Sequence, residues 1–339
     1  MLFSASAFAP ACASPSHCET DPLRLFPDAS GGEAAVTRYR VFPGMELDYR
    51  DVHARACREL RDGSGERLEI HHCLEGRVEY RQNGRYFYLS PGDLAVARTS
   101  SLPPDSRFPT GHYHGITVTI DPAAAPECLS CILSDVEVRP ATLMEKLCPG
   151  GTVFTARSSR RVKHVFSELY AVPEDIRKGY LKVKLLELLL FLSTLSPEDG
   201  QTPHGCTAAQ VSLAEQVKAR LLAEPDRTLT LKSLSQQFNV SEAQIKSSFA
   251  GVYGMSPAAY ARSQRMHGAA ALLRETDRTV LDIACQFGYD NASKFARAFR
   301  DVIGVSPREY RAGAEYDSCA PQLGEKPVSL SDADAKRRI

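Results

Sequence analysis

The stretch QFGYDNASKFARAFRDVIGVSPREY, residues 286–310, restates QFNVSEAQIKSSFAGVYGMSPAAY, residues 237–260. Ile245, Phe249, Gly254, Ser256, Pro257 and Tyr260 recur fifty residues later as Phe295, Phe299, Gly304, Ser306, Pro307 and Tyr310. Upstream the offset is forty-nine, matching Phe238 with Phe287, Asn239 with Gly288 and Val240 with Tyr289. The second copy therefore carries one extra residue at the start of its later helix, and the chain uses one structural unit twice.

The breaks define that unit. A short helix, predicted over 231–238 or 280–287, ends at Asn239 or Gly288, residue types that tolerate a left-handed turn. Ser241 then suits an N-cap, with Gln244 three residues on as a capping box, and Asn291 caps the second copy. Helix, tight turn, helix is the helix-turn-helix plan. In each later helix Ile245 and Phe249, or Phe295 and Phe299, are expected to face the core one turn apart. The opposite face offers Ala243, Gln244, Lys246 and Ser247 in the first copy, and Ser293, Lys294, Arg297 and Arg300 in the second. Short side chains let a helix enter the major groove, while Lys and Arg reach guanine edges or phosphates. A plain helical bundle would carry a solvated face of the same kind, but two copies in register argue against it.

The chain of 339 residues, 43% of them hydrophobic, can build two buried cores. Its formal charge is zero overall, yet residues 210–311 hold 14 Lys and Arg against 10 Asp and Glu, a net +4 that hints at a polyanionic partner. The best apolar run, 185–192, is eight residues long and interrupted by Glu187, short of the roughly 18 that a membrane helix needs. The N-terminus lacks Lys or Arg ahead of its apolar residues and is broken by Pro10 and Pro15, so a secretory signal is not expected. The expected location is the cytoplasm, where the ten cysteines would be mostly free, partly buried thiols.

Residues 1–35 and 312–339 lack periodicity and are expected to be disordered. Residues 36–121 read as strands, including 77–81, 86–89 and 115–120, with Asn83-Gly84 as a hairpin turn and Pro91-Gly92-Asp93 as a corner. From Arg157 the period becomes helical, in two segments parted near Pro173. Leu181, Leu185, Leu188, Leu192 and Leu195 form an a/d stripe that either packs on the sheet or makes a dimer contact. The polar segment 196–209 is the expected linker between an effector-binding and dimerisation domain, 36–195, and the repeat.

Residues 210–311 resemble the DNA-binding domain of the AraC/XylS family of bacterial transcription regulators. The resemblance rests on Arg265-Met266, Ala269 and Leu272-Leu273, then Ile283-Ala284, Phe287-Gly288-Tyr289, Phe295, Phe299, Gly304, Ser306-Pro307 and Tyr310-Arg311. It implies two helix-turn-helix subdomains joined by a long helix, each presenting its second helix to the major groove. One departure is that Ala243 and Ser247 stand where long side chains often sit, which leaves Arg297 and Ser293 as the better readers. The resemblance further implies an N-terminal cupin-like β-barrel that senses a small molecule, hence an α+β multidomain chain with a helical hairpin beside the barrel. Homodimers, RNA polymerase as a further partner and activation rather than repression follow from the same resemblance.

Alternation places Leu68, Ile70, His72 and Leu74 on one parity, and His112, His114, Ile116, Val118 and Ile120 on another, making His72, His112 and His114 candidate effector contacts. No metal or other cofactor is expected there. The His-x-His pattern of metal cupins is absent, since His71 and His72 are adjacent, with Glu75 beyond, and no His follows Pro91-Gly92-Asp93. Cys128 and Cys131 form a Cys-x-x-Cys, but zinc needs about four ligands and no second pair accompanies them. The sequence thus predicts an effector-controlled DNA-binding regulator that is not an enzyme. The alternatives are a metal- or thiol-responsive regulator through Cys128 and Cys131, or a metal-binding cupin enzyme fused to a DNA-binding domain.

Overall fold

The computed structural model describes residues 18–20, 25–27, 31–59, 65–126, 138–200, 205–223 and 229–312. They fall into two compact units, one running through Arg265 and the other starting at Met266. Twelve strands come first: β1 (Cys18–Thr20), β2 (Leu25–Pro27), β3 (Gly32–Phe42), β4 (Met45–Ala54), β5 (Ala56–Glu59), β6 (Leu68–Gly76), β7 (Val78–Gln82), β8 (Arg85–Leu89), β9 (Leu94–Arg98), β10 (Asp105–Arg107), β11 (Tyr113–Ile120) and β12 (Phe154–Ala156). Among them run α1 (Pro140–Leu147) and, after β12, α2 (Arg160–Ser167) and α3 (Arg177–Thr194).

The strands make two antiparallel sheets rather than one closed barrel: a seven-stranded sheet in the order β1-β3-β4-β11-β6-β9-β12 and a five-stranded sheet in the order β2-β5-β10-β7-β8. The β7–β8 hairpin turns at Asn83-Gly84, as its sequence predicts, with φ of 51° and 71°. Strands β1 and β2 and the first residues of β3 correct the expectation of disorder through residue 35. They are short edge strands held by pairing, β1 on β3 and β2 on β5, and such segments carry too few residues to show a period.

The seven-stranded sheet is buried on both faces. On β9, Leu94 and Val96 pack against the helices with Leu68, Ile70, Ile116 and Leu185, while Ala95 and Ala97 face the second sheet with Val52, Val78, Tyr80 and Leu89. The leucine stripe of α3 is spent in the first of these layers: Leu181, Leu185, Leu188, Leu192 and Leu195 are all buried in it. It packs on the sheet and is not the free dimer seam that its heptad spacing allowed.

Between the sheets lie charged residues of the parity opposite to Leu68, Ile70 and His72 on β6 and of the strands paired with it. Arg38 pairs with Asp48, and the Arg50 guanidinium reaches Glu59 at 2.7 Å, all four groups being buried or nearly so. His71 joins them, 3.0 Å from Glu69 and 3.1 Å from Thr117 Oγ1. Burial of such charges is tolerated only when they are paired.

After residue 205 the chain is helical: α4 (Ala208–Ala223), α5 (Leu231–Phe238), α6 (Glu242–Tyr253), α7 (Pro257–Glu275), α8 (Val280–Gln286), α9 (Ala292–Ile303) and α10 (Pro307–Arg311). No helix among the described residues is long and apolar enough to cross a membrane.

Candidate nucleic-acid interface

Each helix pair is fixed by its own caps. The Thr230 hydroxyl accepts Ser233 N–H at 3.0 Å to start α5, and Thr279 does the same for Asp282 N–H at 3.1 Å at the start of α8. These threonine caps escaped the sequence reading, although Thr directly before an apolar helix start was the available signal. Helix α5 ends at Asn239 with φ 53°, and Gly288, beyond α8, has φ 79°. The Ser241 hydroxyl accepts Gln244 N–H at 3.1 Å, the first half of the expected capping box. Asn291 Oδ1 accepts Ser293 N–H at 2.7 Å and Lys294 N–H at 3.2 Å. Helices α6 and α9 both close on a left-handed glycine, Gly254 and Gly304.

Those caps hold the predicted faces. Ile245, Phe249, Phe295 and Phe299 are fully buried, together with Leu234 in the first unit and Ile283 in the second. Rings tile each core: Phe249 meets Tyr253 and Tyr260, and Phe299 meets Phe295 and Tyr310. Ala243, Gln244, Lys246 and Ser247 are exposed on α6, and Ser293, Lys294, Arg297 and Arg300 are exposed on α9. The Ser247 hydroxyl donates to Gln244 O at 3.1 Å, which holds it against its own helix. Lys294 lies 3.9 Å from Asp290, an exposed pair that contributes little.

The first head has a second set of neighbours. The Arg77 guanidinium, buried beside Tyr88 with 5.5 Å to the ring centre, donates to Gly251 O of α6 at 3.2 Å. Burial, then the charge of Arg157, lower its pKa. Tyr86 and Cys206 exchange backbone hydrogen bonds of 2.9 and 2.8 Å, so residue 206 extends the edge of β8 inside the expected linker. Tyr88 packs in one cluster with Ala214, Val217, Phe249 and Tyr253. Lys218 of α4 donates to Pro109 O at 3.0 Å above the Tyr253 and Tyr260 rings, and burial pushes its amine down to about 8.

The other face of that hairpin borders a cavity of about 340 Å³ lined by Tyr80, Gln82, Phe87, Thr155, Asp93 and Arg157 among others. Asp93, from the predicted Pro-Gly-Asp corner, is buried and accepts from Ser90 N–H, Ser158 N–H and Arg157, so it staples the rim. The space between the sheets, by contrast, is filled to about 20 Å³.

The structure does not bring the three candidate histidines together. His72 faces the helices, stacked on Phe166 at 4.2 Å and bonded to Tyr170 Oη at 2.8 Å, and burial pushes it down to about 4. The neighbouring His71 is the one between the sheets. His112 is exposed, and His114 lies at the end of β11, 3.5 Å from Asp51. Parity alone does not say which layer a residue meets, because a sheet covered on both faces buries both parities. Cys128 and Cys131 lie outside the described residues; among the described ones Cys57, Cys73, Cys148 and Cys206 are buried and Cys285 is exposed.

Two helix-turn-helix units with polar or basic outer faces, following a sheet domain in one chain, define a helix-turn-helix transcription regulator. A family model described as a helix-turn-helix domain matches residues 234–313. The chain is 34% identical over 275 residues to the uncharacterized HTH-type transcriptional regulator YdiP of Escherichia coli, a match covering 77% of this chain and 88% of that one. It is 32% identical over 93 residues to the transcriptional regulator Rob of Salmonella typhimurium, of which it spans only 32% of the length. A solved AraC-type regulator from Chromobacterium violaceum is 23% identical, with a TM-score of 0.29 over 31% of this chain and 95% of that one. The chain belongs to the AraC/XylS family of transcription regulators.

Proposed function

We propose that the protein is a cytoplasmic, sequence-specific DNA-binding regulator in which the second head reads bases and the first head mainly grips phosphate. The observation that carries this reading is the contrast of exposed faces on one shared frame: Lys294, Arg297 and Arg300 on α9 against Lys246 as the cation among the outward candidates of α6. Arg is suited to bidentate contact with guanine, whereas a lone Lys among small residues acts as a point charge toward phosphate. No step is catalytic.

An effector in the 340 Å³ cavity would control binding. In support, the β7–β8 hairpin is a common wall, with Phe87 lining the cavity and Tyr86 and Tyr88 meeting the first head. A ligand that favours one hairpin position shifts the head by its differential affinity for the two arrangements. The molecule would work as a homodimer and activate transcription through contact with RNA polymerase, roles drawn from the family resemblance.

The test is selection of bound DNA from a random library with full-length protein at a stated salt concentration. One short block, alone or repeated at the spacing of a dimer, would support a second head that reads bases beside a first that grips phosphate. Two different blocks about one helical turn apart would give the first head base readout as well and contradict the split. No enrichment at low salt would leave the repeat a structural bundle and end this reading.

A further inference from the structure

Strands β4 and β11 pair so that His114 stands opposite Asp51, and Asp51 and His53 point to the same face of β4. Asp51 Oδ1 lies 3.0 Å from His53 Nε2 and 3.5 Å from His114 Nδ1, and the two imidazoles meet edge to face at 5.3 Å. One ligand atom from each of the three residues lies within 4.8 Å of the other two. From this geometry we infer that Asp51, His53 and His114 form a binding site for one first-row divalent transition-metal ion of the zinc class.

Distances favour a shared ion. Ligands on bonds of about 2.0–2.1 Å around a tetrahedral ion stand roughly 3.3 Å apart, so small side-chain rotations bring these donors into place. Asp51 Oδ1 is buried and has both imidazoles within 3.5 Å, so the three side chains converge on a point. Two further carboxylates surround it: Glu33 is the cross-strand partner of His53, and Glu75 that of His114. They supply either a fourth ligand or a neighbouring charge that strengthens an imidazole ligand. Opposite Asp51 on β3 stands Ala35, exposed and small, which leaves the ion a path from solvent. Two imidazoles and a carboxylate with an open position suit zinc, cobalt, nickel or iron(II), whereas calcium and magnesium take oxygen sets. The site lies outside the cavity described above and depends on neither the DNA nor the effector reading.

The experiment is a titration of tag-free, chelator-treated full-length protein with Co²⁺, read by visible absorption, with Zn²⁺ as competitor. The expected result is one saturable ion per chain, without thiolate charge-transfer bands, displaced by Zn²⁺. Affinity should fall at least tenfold in the double variant His53→Gln/His114→Gln while Cys128→Ser/Cys131→Ser leaves it unchanged. Absent saturable uptake, or uptake that survives the histidine double variant, would overturn the inference. Should that variant misfold, X-ray absorption at the cobalt edge of the wild-type protein decides: two imidazole ligands support the site, and sulfur ligation refutes it.

Discussion

The two helix-turn-helix heads are the same object beneath and different objects above. Beneath, Leu234, Ile245 and Phe249 in the first have Ile283, Phe295 and Phe299 in the second, each buried, and a left-handed Asn239 answers a left-handed Gly288. Above, the face of α6 presents Ala243, Gln244, Lys246 and Ser247, whereas that of α9 presents Ser293, Lys294, Arg297 and Arg300. Sterics hold the frame, because a core one turn wide admits few substitutions. The face answers only to what it touches, so it is where two copies can part.

Perturbing the frame should have the largest effect and the same effect in both heads. Phe249→Ala and Phe299→Ala should each cost about 3–5 kcal/mol, enough to melt a head of this size, measured by urea unfolding followed by circular dichroism. A loss confined to one head would break the equivalence. Perturbing the faces should separate them. Arg297→Ala should cost roughly 1–3 kcal/mol of specific DNA binding and relax discrimination at its base. Lys246→Ala should weaken all sequences alike and reduce the salt slope by about 1.

Smaller effects sit at the caps. Ser241→Ala and Asn291→Ala should each cost about 1 kcal/mol, since each removes a side-chain acceptor of helix N–H groups, and differential scanning calorimetry would rank them. The smallest effect concerns the first head's neighbours. Burial lowers the Lys218 amine from its usual 10.5 to about 8. Between those values the unfolded chain binds more protons than the folded one, so the cost of this lysine is full below pH 8 and fades as pH rises toward 10.5. Lys218→Met should therefore raise stability at pH 7 and gain nothing above roughly pH 10.5, as chemical denaturation at the two pH values would reveal.

Much of this comparison was readable in the residues. The repeat gave both turns, the four buried anchors, the Ser241 and Asn291 caps and the exposed faces, because helical period and capping are local. The N-terminal half was less open to that reading. Asn83-Gly84 identified the hairpin and alternation turned His72 inward, where it is buried, yet parity cannot tell a helix layer from a second sheet. The grip of Arg77 on Gly251 spans 174 residues, and no local pattern announces it. Asp51 and His53 did carry a signal, an i,i+2 pair on a strand, but His114 joins them only through the β4–β11 register.

The claim that one frame carries two different faces is tested most directly by repeating the DNA selection with Arg297→Ala and Lys246→Ala proteins beside the wild type, at one salt concentration. The account predicts that Arg297→Ala blurs the motif, while Lys246→Ala lowers recovery without changing it. A motif untouched by Arg297→Ala, or one whose sequence changes in Lys246→Ala, would contradict it.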